Sequence, residues 1–215
     1  MAEAIALPFS ISELKQSLQR VNDSATGLDQ IHYQLLIHLP NCSIFLLKVY
    51  NHVWESGCFP PSWREAVVIP IPKPDKDHSE PGNLIRPIAL TSCLCKKVER
   101  MINAHLMWSL ESHGLLSEKQ CDFRKNHGTL DHLVRFETLI RNAFVKKEHA
   151  LIIFFDLEKA YDTTWKHGIL ADVWDLSFRG HVPRFIQSFL SERSFRVRVG
   201  SMLSGLHEQE MRSRI

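Results

Sequence analysis

Apolar residues recur at three- and four-residue spacing along most of the chain and switch to runs or strict alternation in a few places. Ser10-x-x-Glu13 has the form of a capping box, and Leu14, Leu18 and Val21 follow at helical spacing. After the polar loop Asn22 to Gly27, a second helix carries Ile31, Leu35, Leu36 and Leu39 and is stopped by Pro40. A third runs from about Ser43 to Ser56, with Leu46, Leu47, Tyr50, Val53 and Trp54 apolar and Gly57 ending it. Ala66 to Ile71 is strand-like, but Pro70 and Pro72 confine it to an edge or an extended arm. Arg86 to Leu90 reads as a returning strand, so a hairpin with basic residues near its tip is expected, its charged turn equally readable as a solvated surface turn.

Thr91 or Ser92 caps the next helix, whose apolar face is Leu94, Val98, Met101, Ile102, Leu106 and Leu110 and whose other face is basic through Lys96, Lys97 and Arg100. A long helix from about Thr129 to Lys147 should turn Leu130, Leu133, Val134, Ile140 and Phe144 inward. Leu151 to Phe155 is a continuous apolar run, the signature of a strand buried on both faces. A helical pattern through Trp165, Ile169, Leu170, Val173 and Leu176 follows, then a short helix from Gly180 to Leu190. Phe195 to Val199 alternates, placing Arg196 and Arg198 on one face of a half-buried strand. Ser201 to Ile215 shows no clear element.

The buried run ends at Asp156. A carboxylate fixed at a strand end suits Mg²⁺, which takes oxygen ligands in strict geometry. A polar strand end is the other reading of Asp156, and capping of the following helix is the preferred reading of Asp162.

Composition narrows the classes. The chain has 215 residues, 44% of them hydrophobic, which suffices for one large or two small cores. No apolar run is long enough to span a membrane, and the N-terminus lacks a signal-peptide pattern, so an intracellular protein is expected, nucleus and cytoplasm being unresolved. A net charge of +2 restricts any nucleic-acid surface to local patches. The five cysteines contain no Cys-x-x-Cys pair, hence no recognised zinc spacing, and read as reduced, mostly buried thiols.

Several stretches, taken in order, resemble the reverse transcriptases of non-LTR (LINE-type) retrotransposons. Trp63 to Lys76, Arg86-Pro-Ile-Ala-Leu-Thr-Ser and Lys97-Val-Glu-Arg-Met-Ile are similar to the first fingers motif. Gln120-Cys-Asp-Phe-Arg124 with His127-Gly-Thr-Leu-Asp131 is similar to the second, and Phe155-Asp156-Leu-Glu-Lys-Ala-Tyr161-Asp162 to the first palm carboxylate motif. Ser24-Ala-Thr-Gly27-Leu-Asp29 resembles the loop that precedes the fingers in these elements. The resemblance implies an α+β fold: reverse-transcriptase fingers and the first half of the palm, helix-rich, with a fingers hairpin and a partial palm sheet. It implies N-terminal helices over residues 1–58, fingers over 59–148 and a partial palm over 149–215. RNA-directed DNA polymerisation by two-Mg²⁺ nucleotidyl transfer would be the activity, with an RNA template, a DNA primer and dNTP as partners and no membrane. By the same resemblance Asp156 is the catalytic metal ligand and the Leu157 carbonyl a further one. Tyr161 would lie beneath the incoming sugar, Lys73 and Arg86 would reach the triphosphate, and Phe123 and Arg124 would serve either packing or template contact. Lys96, Lys97 and Arg196 would either track the template backbone or form solvated faces.

The chain also departs from the family pattern. Asn83-Leu84-Ile85-Arg86 replaces Tyr-Arg-Pro-Ile, and Asp122 and Gly128 replace a family Gly and a Ser or Thr. The sequence contains no Asp-Asp pair and no Gly-x-Pro-Gln-Gly motif, and it runs from Met211 into Arg-Ser-Arg-Ile215. A frameshift or premature stop just after Met211 is the simplest account, and the expectation is a truncated polymerase segment, inactive as an isolated chain. The alternative reading is a non-catalytic nucleic-acid-binding remnant, or a decayed transposon product without a selected role.

Overall fold

The computed structural model describes residues 7–19, 25–38, 42–74, 85–157, 160 and 164–209. Tyr161, Asp162 and the turn between Pro74 and Ile85 lie outside them. The chain divides into two compact units, Met1–Leu106 with Trp165–Ile215, and Met107–Thr164. This division crosses the three segments read from the sequence, because the first unit draws elements from both ends of the chain. The expected α+β class holds: helices accompany a small mixed sheet.

In the first unit, α1 (Ile11–Gln19), α2 (Tyr33–His38) and α3 (Cys42–Ser56) precede a 3₁₀ turn (Pro61–Trp63) and the hairpin β1 (Glu65–Pro72) and β2 (Ile85–Leu90). The capping box is formed: the Ser10 N–H donates to Glu13 Oε2 at 2.7 Å and the Glu13 N–H to Ser10 Oγ at 3.2 Å. Helix α4 (Cys93–Ser112) starts at Ser92, whose Oγ accepts from the Leu94 N–H at 3.2 Å. After the second unit come α6 (Lys166–Asp175), α7 (His181–Leu190), β3 (Ser194–Val199) and two short strands, β4 (Met202–Leu203) and β5 (His207–Glu208). Sequence reading missed β4 and β5, since two-residue strands carry no periodicity and exist only through their pairing with β3.

The core of this unit is aromatic. The Phe59 ring lies 5.8 Å from Trp63, 5.9 Å from Phe185 and 5.4 Å from Phe189, the distances and tilts of edge-to-face pairs. Arg193 stacks over Phe189 at 4.1 Å and donates to the Trp63 carbonyl at 3.2 Å, fastening the start of β3 to the turn before β1. Strand β1 is antiparallel to β2 and parallel to β3. The β3 pairing ends at Val68–Val197, so Pro70 and Pro72 fall where β1 has β2 alone beside it. The edge expected for the prolines is thus met within one strand: its first half is central, its second half an edge.

The expected basic face of α4 is not solvated throughout. Lys97 is fully buried, its Nζ donating to the Ser17 carbonyl and lying 4.8 Å from the centre of the Tyr33 ring. Cys93 and Cys95 are both fully buried, although two residues apart on a helix, because the first turns of α4 are enclosed on more than one side. None of the five cysteines is in a disulfide, and three of them are buried.

The second unit contains the end of α4, the turn-rich stretch to Gly128, α5 (Thr129–Lys146) and the segment 151–157. Two expectations fail here. Helix α5 forms, but no residue of it is buried, and Leu130, Leu133, Val134 and Phe144 are exposed. The apolar run Leu151 to Phe155 is not a buried strand; it has no ladder partner among the described residues, and Phe155 is 88% exposed. The physical reason is common to both. A helical stripe or an apolar strand is buried only by a second layer, and the described residues of this unit supply none. The Phe136 and Phe154 rings, 6.0 Å apart, are a contact between helix and segment.

Candidate nucleotide and template site

The hairpin positions two cations. Register pairs Ile71 with Arg86 and Pro72 with Ile85. Residues directly opposite on antiparallel strands share a face, and alternation puts Lys73 on the face of Ile71. Lys73, one residue past β1, and Arg86, in β2, therefore project from one face at the open end of the hairpin. Arg86 is exposed and Lys73 half-buried. Neither side chain makes a hydrogen bond or ion pair with a described residue.

A lock at the other end of β2 fixes that hairpin. Ser92 Oγ donates to Asp29 Oδ2 at 2.5 Å, and Lys96 Nζ donates to the Ala25 carbonyl at 3.0 Å. Gly27 lies so close that a Cβ there would meet the Ser92 amide nitrogen at 2.7 Å. The loop around Gly27 thus clamps the joint between β2 and α4, and only glycine permits the approach. Sequence reading found the loop by resemblance but not its role, because Asp29 and Ser92 are 63 residues apart and nothing in their spacing announces contact.

In the second unit, Arg124 and Phe123 part company. The Arg124 fork is filled: Nε and Nη2 donate to the two Glu111 carboxylate oxygens at 2.8 and 2.6 Å, and Nη1 to the carbonyls of Ser117 and Gln120 at 2.9 and 3.0 Å. This bidentate pair holds the Glu111 carboxyl below the usual carboxylate range. Phe123 is 85% exposed and sits in the left-handed region at φ 61°. A bulky residue there is strained by roughly 1–3 kcal/mol and persists because the surrounding turn fixes it. Arg124 clamps the loop; Phe123 is presented by it.

Asp156 and Leu157 lie on the segment 151–157, both exposed. Their donors are a carboxylate and a backbone carbonyl, the hard oxygens that Mg²⁺ prefers. In the first unit, Arg196 Nε donates to Glu65 Oε1 at 2.6 Å, so that side chain of β3 is engaged within the sheet rather than projecting as a free cation.

The comparisons with known proteins bear on the family. Residues 71–211 match the family described as reverse transcriptase (RNA-dependent DNA polymerase). Three relatives from Drosophila melanogaster align over nearly the whole chain. The probable RNA-directed DNA polymerase from transposon BS is 30% identical over 199 residues, 92% of this chain. The probable polymerase from transposon X-element is 31% identical over 206 residues, 93% of the chain. The polymerase from mobile element jockey is 30% identical over 207 residues, 94% of the chain. The chain spans 22% of the length of each of these relatives. The matched span includes Lys73, Arg86, Phe123, Arg124, Asp156 and Leu157, and the chain belongs to the reverse transcriptase (RNA-dependent DNA polymerase) family.

Proposed function

We propose that this chain is the fingers and first palm segment of an RNA-directed DNA polymerase of a non-LTR retrotransposon. The observation that supports it most is the Ile71–Arg86 register, which leaves two cations on one hairpin face with no side-chain partner among the described residues. A triphosphate is the ligand such a face recognises, the Arg fork binding two phosphate oxygens and the Lys acting as a point charge. Phe123 offers an exposed ring on which a template base stacks, and Arg124 keeps the loop in shape to present it. Asp156 and the Leu157 carbonyl are the residues that would hold Mg²⁺. Bound metal would stabilise the attacking and leaving oxygens of nucleotidyl transfer. Tyr161, next to this segment in sequence, is proposed to exclude a 2′-hydroxyl by bulk.

One palm carboxylate is too few for two ions, so the 215 residues by themselves bind primer–template without extending it. An RNA–DNA primer–template with Mg²⁺ and dNTP tests both halves. Binding should weaken linearly on a log–log plot as salt rises, with no primer extension. Processive extension would overturn the inactivity, and binding indifferent to salt would overturn the nucleic-acid reading. The second reading, a non-catalytic binding remnant, shares the salt dependence but predicts no nucleotide binding at Lys73 and Arg86.

A further inference from the structure

Within the stretch that resembles the second fingers motif, at three residues given no role above, the second unit brings together a thiol, an imidazole and a carboxylate. The ligand atoms of Cys121, His127 and Asp131 all lie within 4.8 Å of one another, with His127 Nδ1 3.9 Å from Asp131 Oδ2. We propose that these three residues bind one thiophilic divalent cation of the zinc class.

The loop is built to make this approach. Phe123 and Asn126 take left-handed backbone at φ 61° and 64°, turning the chain back on itself twice between Cys121 and His127. The His127 N–H donates to the Arg124 carbonyl at 3.4 Å, and Arg124 is itself held at four points. Asp131 stands in the first turn of α5, where its Oδ2 accepts from the Gly128 N–H at 2.8 Å. That bond orients the carboxylate as outer-shell partners orient metal ligands, and leaves Oδ1 for an ion. Cys121 is 1% exposed, yet its thiol makes no hydrogen bond with a described residue.

The donor set selects the metal. A thiolate excludes Mg²⁺ and Ca²⁺ as preferred ions, while sulfur, nitrogen and oxygen together suit Zn²⁺. With metal–ligand bonds of roughly 2.0–2.3 Å, a tetrahedral site needs donors roughly 3.3–3.8 Å apart. Rotation of the exposed His127 ring provides the remaining closure. A thiolate and a carboxylate balance the ion's two charges, which offsets the repulsion a cation meets at the N-terminus of α5. Three protein ligands leave a fourth position for water. The bound ion would clip the loop that presents Phe123 to the first turn of α5. Cys121-x₅-His127-x₃-Asp131 is not a familiar zinc spacing, so the sequence alone pointed away from zinc.

Cobalt(II) titration of the full chain, kept reduced without a thiol reagent, reads the site directly. One cobalt per chain should bind with a thiolate-to-cobalt charge-transfer band and the d–d bands of tetrahedral coordination, and zinc should displace it. Cys121→Ser should abolish the band; His127→Gln and Asp131→Asn should weaken binding at least tenfold. Zinc should raise the melting temperature of the wild type more than that of any of the variants. No band at saturating cobalt would overturn the proposal, as would a band that survives in Cys121→Ser and so belongs to another cysteine. If Cys121→Ser fails to fold, His127→Gln decides, because that side chain is exposed; unchanged binding there overturns the site.

Discussion

Arg124, Lys97 and Gly27 show how far a residue's type underdetermines its role. Arg124 was open to packing or template contact, and its fork is consumed by Glu111 and two carbonyls. Arg124→Ala should speed amide exchange across residues 117–124 without altering exchange in the first unit. The Glu111 carboxyl is lowered by that pair, so its stabilising contribution is present above the ordinary carboxylate range. It is lost as pH falls through the lowered value, and Glu111→Gln should remove that acid dependence from the same amides. Lys97 reads as a surface cation on a helix, but burial, helped by the neighbouring Arg100 charge, pushes its ammonium down from 10.5 to about 8. Between those values the unfolded chain holds the proton and the folded one releases it, so stability should rise with pH across that window. Urea midpoints from pH 7.5 to 10 should show the rise in wild type and a flatter profile in Lys97→Met. Gly27→Ala drives a Cβ into the Ser92 backbone and should lower stability by about 1–3 kcal/mol in the same assay.

At the scale of elements, local signals were legible and tertiary ones were not. The capping box at Ser10, the cap at Ser92, the hairpin and the helix from Thr129 all follow from residues near one another in sequence. Burial does not, because it depends on what lies opposite. Leu151 to Phe155 has the composition of a strand with both faces covered, yet stands exposed and unpaired among the described residues. An apolar edge of this kind invites pairing with other chains. The chain should therefore self-associate with rising concentration in sedimentation velocity, and Ile153→Lys with Phe155→Lys should suppress it. Unchanged association in that double variant would place the sticky surface elsewhere, for instance on α5.

For the molecule as a whole, the two units differ in the means of their stability. The first has an aromatic core around Phe59 and Trp54; in the second, Ser109, Leu110 and Cys121 are the buried residues among those described. Unfolding should therefore depart from two-state behaviour, with amides of 107–164 exchanging well before those of β1 and α4's first turns. The family was legible because its motifs are ordered short stretches, and the match over residues 71–211 agrees. The candidate site was proposed from the sequence as a set of residues, not as an arrangement. Lys73 and Arg86 come together only through the β1–β2 register.

That pair also provides the sharpest test of the polymerase reading. Fluorescent dNTP with Mg²⁺ should be titrated into the chain bound to an RNA–DNA primer–template, in wild type, Lys73→Ala and Arg86→Ala. A charge-assisted phosphate contact contributes about 1.5–3 kcal/mol, so each variant should bind the nucleotide roughly tenfold or more weakly, with primer–template affinity nearly unchanged. Nucleotide affinity equal in all three proteins, or absent in wild type, would contradict the account.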